Sequence, residues 1–130
     1  MPSREKRVRR LDIRPLTHEE QRNFAEVWKT TQGRFVDEPS KAVGEADGLI
    51  KEVMQARGYP VGDFDQRAAD ISVDHANVVT NYRAAREIAT RNKSGEATTE
   101  ELRQAMMHYR SLFEELVEAA ETATGKEAIR

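Results

Sequence analysis

The chain has 130 residues, of which 34% are charged and 38% are hydrophobic, and its formal net charge is -2. This length fits one domain, and the mean hydropathy of -0.78 is typical of a polar protein with a modest core that often completes its burial by self-association. Cysteine does not occur, which excludes disulfides, thiolate catalysis and cysteine-ligated metal sites.

The first 16 residues form a basic segment. Six basic and two acidic residues give it a net charge of +4, so the rest of the chain carries -6. No apolar run follows the charges of residues 1–10, so we predict no signal peptide, and no window approaches the ~20 apolar residues of a membrane-spanning helix. We predict a basic extended arm over 1–16, a helical domain over 17–125 and a frayed tail over 126–130.

The stretch LDIRPL, residues 11–16, ends the arm with alternating apolar residues. Arg14 precedes a proline, which favours extended backbone there. Leu11, Ile13 and Leu16 are therefore predicted to pack across the helical domain, or to dock into a partner or a second copy.

Two helices are predicted over 17–36 and 38–58. Thr17 and Glu20 have capping-box spacing, and one apolar stripe follows in helical register: Phe24, Val27, Trp28, Thr31 and Phe35. Trp28 and Phe35 are interpreted as core, with a partner-facing patch as the alternative. The second helix has Gly58 as its C-terminal cap. Gly44 and Gly48 inside it allow either close helix packing or simple exposure.

Two further helices are predicted over 72–95 and 98–125. Ser72 or Asp74 caps the third helix and Gly95 ends it. Thr98 and Glu101 repeat the capping box, and the fourth helix has the strongest apolar stripe: Leu102, Met106, Tyr109, Phe113, Leu116 and Val117. No stretch alternates like a strand. The predicted fold is all-α: an antiparallel bundle of about four principal helices, with a short extra helix after the second.

The short extra helix falls in RGYPVGDFDQRAADISVDH, residues 57–75, where aspartates crowd around a turn. Asp63 is a predicted cap, with Gln66 closing a capping box, and Phe64, Ala68 and Ile71 share one face. On this interpretation Asp63, Asp65 and Asp74 sit at helix N-termini, where the helix dipole favours negative charge. The alternative is a metal or ligand site made of Asp63, Asp65, Asp70, Asp74 and His75, since oxygen-rich sites suit magnesium, calcium or manganese. A calcium-loop pattern is absent, so we assign no metal ligand.

Other catalytic patterns are missing. No serine lies in a nucleophile elbow, no glycine-rich phosphate loop occurs, and no Glu-x-x-His pair of a di-metal bundle is present. His18, His75 and His108 are interpreted as surface or boundary residues. We therefore predict no catalytic residue, no cofactor and no enzyme activity.

Four long stretches together resemble an uncharacterised bacterial family of small proteins: EKRVRRLDIRPLT, GRFVDEPSKAVGEADGLIKEVMQARGYPV, DFDQRAADISVDH and ELRQAMMHYRSLFEEL. The resemblance covers roughly residues 5–117 and implies no known activity and no site residues. It implies that relatives often carry an N-terminal membrane helix, then a charged stretch, then this helical domain. This chain begins inside what resembles the charged stretch, so we expect either a soluble member or a fragment of a longer protein.

The expected function is a non-enzymatic, self-associating protein-interaction module, cytoplasmic and, in full-length relatives, at the inner face of the membrane. The expected partner is a second copy or another protein. Lys6, Arg7, Arg9 and Arg10 could also contact an anionic membrane surface. Nucleic acid is disfavoured because the arm lacks interleaved aromatics and the acidic body repels a polyanion. The alternative is a small metal-dependent enzyme or ligand-binding domain centred on Asp63–His75.

Overall fold

A computed structural model describes residues 13–118. Within this range the chain forms four α-helices and no strand: α1 His18–Phe35, α2 Pro39–Arg57, α3 Phe64–Lys93 and α4 Thr99–Phe113, which continues into a π-helical turn, Glu114–Glu118. The predicted all-α bundle is confirmed. The first 12 residues of the predicted arm, the frayed tail and Gly125 lie outside the described residues.

Neighbouring helices run antiparallel. Arg34 near the end of α1 donates to Glu45 near the start of α2 at 2.8 Å. Ser40 at the start of α2 and Asn92 at the end of α3 are joined by a hydrogen bond of 2.7 Å. The connection from α3 to α4 is residues 94–98, and a loop this short makes consecutive helices antiparallel.

The predicted signals at Thr17, Gly58 and Thr98 act as expected. The Thr17 hydroxyl accepts from the Glu20 amide at 3.0 Å, and the Glu20 carboxylate accepts from the Thr17 amide at 2.9 Å. Thr98 and Glu101 form the same box at the start of α4. Gly58 ends α2 in the left-handed region, with φ of 93°, which glycine adopts without the steric penalty of a Cβ.

The core lies between α2, α3 and α4, with α1 covering one side. Ile50 of α2 and Tyr109 of α4 are fully buried. Trp28 of α1 stacks on Phe113 of α4, with ring centroids 5.3 Å apart and planes 15° apart, so the core interpretation of Trp28 is confirmed. Phe35 is half-buried against the same core.

Val27 departs from the predicted stripe. Its side chain is 48% exposed, although it belongs to the same apolar register as Trp28. The reason is that α1 packs on a single side, so only a narrow part of the stripe meets the core. Val27 turns toward the outer seam between α1 and α2.

The predicted short helix after α2 is present, because α3 consists of two helical segments, residues 64–74 and 76–93, joined across a kink. The predicted break at Ser72 or Asp74 is displaced to His75, whose backbone leaves the helical region with φ of -136° and ψ of 51°. No proline or glycine follows to stop the chain, so the helix resumes beyond the kink. Asp63 does precede α3 as its N-cap residue, but its side chain makes no capping hydrogen bond, so the predicted capping box with Gln66 is wrong.

None of the helices within residues 13–118 combines the length and the apolar composition needed to cross a bilayer.

Candidate functional site

The carboxylates of the acidic corner, residues 57–75, do not lie together. Asp70 pairs with Arg67 at 3.6 Å in the same helix, Asp65 faces Arg83 at 3.7 Å, and Asp74 is exposed. Across residues 13–118 no group of three acidic or histidine side chains is arranged to hold a metal ion. The five candidate residues of the alternative interpretation therefore occupy separate environments.

His75 contributes to the packing of this corner. Its Nδ1 atom and the Tyr59 hydroxyl are 3.2 Å apart and share a hydrogen bond, and the two rings meet edge to face with centroids 5.3 Å apart. Burial raises the pKa of Tyr59 to about 12, so the phenol is neutral near pH 7. The kink in α3 thus lies where the loop after α2 is fastened to the helix.

The other two histidines lie near the surface. His18 is exposed in the first turn of α1, and His108 is half-buried. The Nδ1 atom of His108 lies 2.9 Å from the Asn81 amide oxygen, which joins α4 to α3. The surface or boundary interpretation holds for these two side chains.

A polar cleft of about 500 Å³ opens beside the start of α3. Asp63 and Asp65 line one wall, and Arg83 and Arg86 line the other. Tyr82 lies in the cleft too, packed on Phe64 at 4.5 Å between ring centroids. Opposite charges thus face each other across the opening, and its inner wall is aromatic.

A buried carboxylate that the sequence pattern did not predict lies at the centre of the bundle. Asp47 of α2 is 6% exposed. It accepts a hydrogen bond of 2.7 Å from the Tyr109 hydroxyl of α4 and one of 3.3 Å from Arg86 of α3. Lys51, one turn later on α2, lies 3.1 Å away. The carboxylate therefore joins three helices.

The electrostatics of this network favour structure over acid–base chemistry. Burial, the neighbouring Asp47 charge and the hydrogen bond to Asp47 all raise the pKa of Tyr109 well above its ordinary value. Burial also raises the pKa of Tyr82. Both phenols are neutral near pH 7, and neither is poised to exchange protons in that range, where a general acid or base would need to titrate.

A sequence signal for Asp47 exists. It lies four residues after Val43 and three before Ile50, which places it on the buried face of α2. A carboxylate on such a face requires a partner, because an unpaired buried charge is costly. Lys51 at the next turn offers one partner, but the contributions of Tyr109 and Arg86 depend on helix packing.

The extended segment before α1 is fastened by one arginine. The Arg14 amide donates to the Arg57 carbonyl at 2.8 Å. The Arg57 side chain donates back to the Arg14 carbonyl at 2.6 Å and to the Leu116 carbonyl at 3.0 Å. Leu16 is buried and Ile13 packs against the core, so these two residues cross the helical domain as predicted. Leu11 lies outside the described residues.

The π-helical turn supplies the carbonyl groups for this arrangement. A π-turn disturbs the regular ladder of helical hydrogen bonds. Leu116 accepts from Arg57, and Val117 accepts from the buried Gln21 side chain of α1 at 3.2 Å. The end of α4 is thereby held to both α1 and α2.

An apolar groove of about 530 Å³ runs along the outer seam of α1 and α2, and we call it the α1–α2 groove. The half-exposed Val27 and the buried Thr31 line it from α1, and Gly48 and the buried Leu49 line it from α2. A Cβ added to Gly48 would meet no atom within 4 Å. The same holds for Gly44, so neither glycine serves close packing between helices of this chain, and the exposure interpretation is correct for both.

Acidic side chains border the α1–α2 groove. Glu26, Glu45 and Glu52 line it together with a single basic residue, Arg34. Arg34 is paired with Glu45 at 2.8 Å, whereas Glu26 and Glu52 have no ion pair to any residue in the range 13–118. The groove therefore combines apolar side chains with an excess of two negative charges.

Comparisons with protein-family models, with curated proteins and with solved structures found no match to this chain. Residues 13–118 form an antiparallel four-helix domain with a buried Asp–Tyr–Arg network, a polar cleft beside α3 and the apolar α1–α2 groove.

Proposed function

We propose that this chain is a non-enzymatic helical module that binds protein through the α1–α2 groove and associates with a second copy of itself. The observation that carries the proposal is the apolar lining of the groove, where Val27 is 48% exposed beside the buried Leu49. Apolar patches on polar proteins mark interaction sites. A non-enzymatic role is supported by the buried Asp47 and Tyr109, because their hydrogen bond holds α2 to α4.

Two lysine substitutions in α1 test this proposal. Val27→Lys places a charge in the α1–α2 groove, whereas Val36→Lys changes a valine that is 82% exposed and lies outside it. Sedimentation velocity and light scattering over a wide range of protein concentration, at low and high salt, should show association that V27K abolishes and V36K leaves intact. A chain that stays monomeric under every condition, or loses association equally in both variants, contradicts the proposal.

The basic arm supports a cytoplasmic, membrane-proximal location. Lys6, Arg7, Arg9 and Arg10 would each contribute about 1 kcal/mol near an anionic lipid surface, and the acidic body would face away from it. Vesicles containing phosphatidylserine should sediment with the chain at low salt, and neutral vesicles should not. Equal sedimentation with both kinds of vesicle would contradict an electrostatic attachment.

A second candidate function is the binding of a small dipolar ligand at the cleft beside α3. Asp63 and Asp65 on one wall and Arg83 and Arg86 on the other favour it, because opposite charges on facing walls suit a dipolar ligand. A thermal shift with a zwitterionic amino acid that Asp65→Asn removes would support this candidate. No shift would refute it.

A further inference from the structure

We propose that the α1–α2 groove binds the basic segment of its own chain, residues 4–11. This inference shares the groove with the function proposed above and names a segment that fits it. The segment lies outside the described residues, and its sequence, REKRVRRL, alternates basic residues with Val8 and Leu11.

Charge complementarity is the first support. Glu26 and Glu52 line the groove without an ion pair to another described residue, and the arm carries five basic residues before residue 12. Opposite charges on an apolar surface attract more strongly than in bulk water, because fewer water molecules screen them.

Apolar complementarity is the second support. Val27 offers a half-exposed apolar side chain, and Gly48 leaves open space beside it because it has no side chain. Val8 and Leu11 are the apolar residues of segment 4–11, and in an extended chain they face opposite sides, so one of the two can pack on Val27. A segment that is wholly charged would leave this surface in water.

Reach is the third support. The described chain begins at Ile13, and the next residue, Arg14, is bonded to Arg57 at the end of α2. At about 1.5 Å per helical residue, Glu52 lies about 8 Å before Arg57 along the axis of α2, and Glu45 about 18 Å before it. An extended chain covers about 3.3 Å per residue, so residues 4–11 can reach the whole length of the groove.

Attachment to the same molecule favours this occupant over a second copy. A short linker that spans its two sites gives an effective concentration in the millimolar range. A weak contact through charged and apolar side chains is then sufficient for the arm to occupy the groove. A binding partner must displace the arm.

The chain is suited to a direct measurement, because Trp28 is its one tryptophan and it contains no cysteine. Ser3→Cys gives a single site for an acceptor dye at the tip of the arm. Energy transfer from Trp28 to the dye should be high at low salt, independent of protein concentration, and lower at high salt. Transfer that is low at every salt concentration overturns the inference, and so does transfer that rises with protein concentration, which indicates a second copy.

Matched glycine variants of the labelled chain locate the contact. Gly48→Leu fills the α1–α2 groove, whereas Gly44→Leu, one turn earlier on the same helix, puts an equal side chain into open space outside it. We expect G48L to reduce transfer to its high-salt level and G44L to leave it unchanged. Equal transfer in the two variants overturns the inference.

A charge variant keeps the test independent of the glycine positions. Glu26→Gln combined with Glu52→Gln should lower transfer and flatten its salt dependence. Transfer that keeps its full salt dependence in this double variant contradicts the charge pairing. Circular dichroism on each variant shows that the bundle is folded while transfer is measured.

Discussion

Tyr109→Phe tests whether the buried Asp47 network stabilises the bundle. The substitution removes one hydroxyl group from a side chain with 0% exposure and leaves the ring in place. Asp47 loses its shortest hydrogen bond, 2.7 Å, and is left with Arg86 and Lys51 at 3.3 and 3.1 Å. A hydrogen bond to a charged group contributes about 1.5–3 kcal/mol, so we expect the free energy of unfolding to fall by about 2 kcal/mol.

Urea unfolding measures this loss. Trp28 stacks on Phe113 in the core, so its fluorescence reports the packing of α1 on α4, and circular dichroism reports helix content. For a domain of this size a loss of about 2 kcal/mol lowers Tm by roughly 8 °C. Tyr82→Phe is the matched control, because Tyr82 is also buried but its hydroxyl has no hydrogen bond to a residue within 13–118. We expect that control to change stability by less than about 0.5 kcal/mol.

A double-mutant cycle with Asp47→Asn assigns the effect to the pair. Once the carboxylate is an amide, the hydrogen bond from Tyr109 is between neutral groups, so removing the hydroxyl should cost about half as much. If Y109F is as stable as the Y82F control, the network makes no net contribution, and the reasoning about Asp47 is refuted. The same holds if the cost of Y109F is unchanged in the D47N background.

The remaining predictions concern the ends of the helices. The hydrogen bond from Arg14, with help from Thr17, lowers the pKa of Glu20 from 4.5 to about 2. Because the folded value is the lower one, the contribution of Glu20 is complete above pH 4.5 and is lost as pH falls toward 2. The free energy of unfolding, measured in urea across that pH window, should therefore depend less steeply on pH in Glu20→Gln than in the unchanged protein. An identical slope in the two proteins would contradict this. Thr98→Ala removes the capping box at the start of α4 and should lower the free energy of unfolding, measured in urea, by about 1 kcal/mol. The packing of the interior of α4 should not change. Gly58→Ala should cost a similar amount because φ is 93° there. An unchanged urea midpoint in Thr98→Ala would refute the capping role of Thr98, and an unchanged midpoint in Gly58→Ala would refute the requirement for glycine at the end of α2.

The sequence predicts the local parts of this fold well. The signals for helix ends act over three or four residues, so Thr17, Thr98 and Gly58 could be placed without knowing any tertiary contact. The apolar stripe of α4 likewise matches the buried face of that helix, because α4 packs against both α2 and α3. Local chemistry is sufficient where the neighbours along the chain are also the partners in space.

The parts that the sequence did not predict depend on partners far along the chain. Asp47 is joined to residues 39 and 62 positions away, and the hydrogen bond of Arg57 to the π-turn spans 59 positions. Val27 belongs to an apolar stripe of which only the part around Trp28 meets the core, and the periodicity of α1 cannot reveal which part that is. The α1–α2 groove follows from the one-sided packing of α1.

The acidic corner shows how composition alone suggests a site that packing does not assemble. Four aspartates and a histidine within 13 positions look like a ligand set, but the chain between them is helical, and a helix distributes its side chains around its axis. Asp70 and Asp74 would share a face, yet Asp70 pairs with Arg67 and the backbone kinks at His75 immediately after Asp74. The kink turns His75 toward Tyr59 on the preceding loop. That contact joins the two ends of the corner by a hydrogen bond and a ring contact between Tyr59 and His75, while the carboxylates remain distributed along the outside of α3.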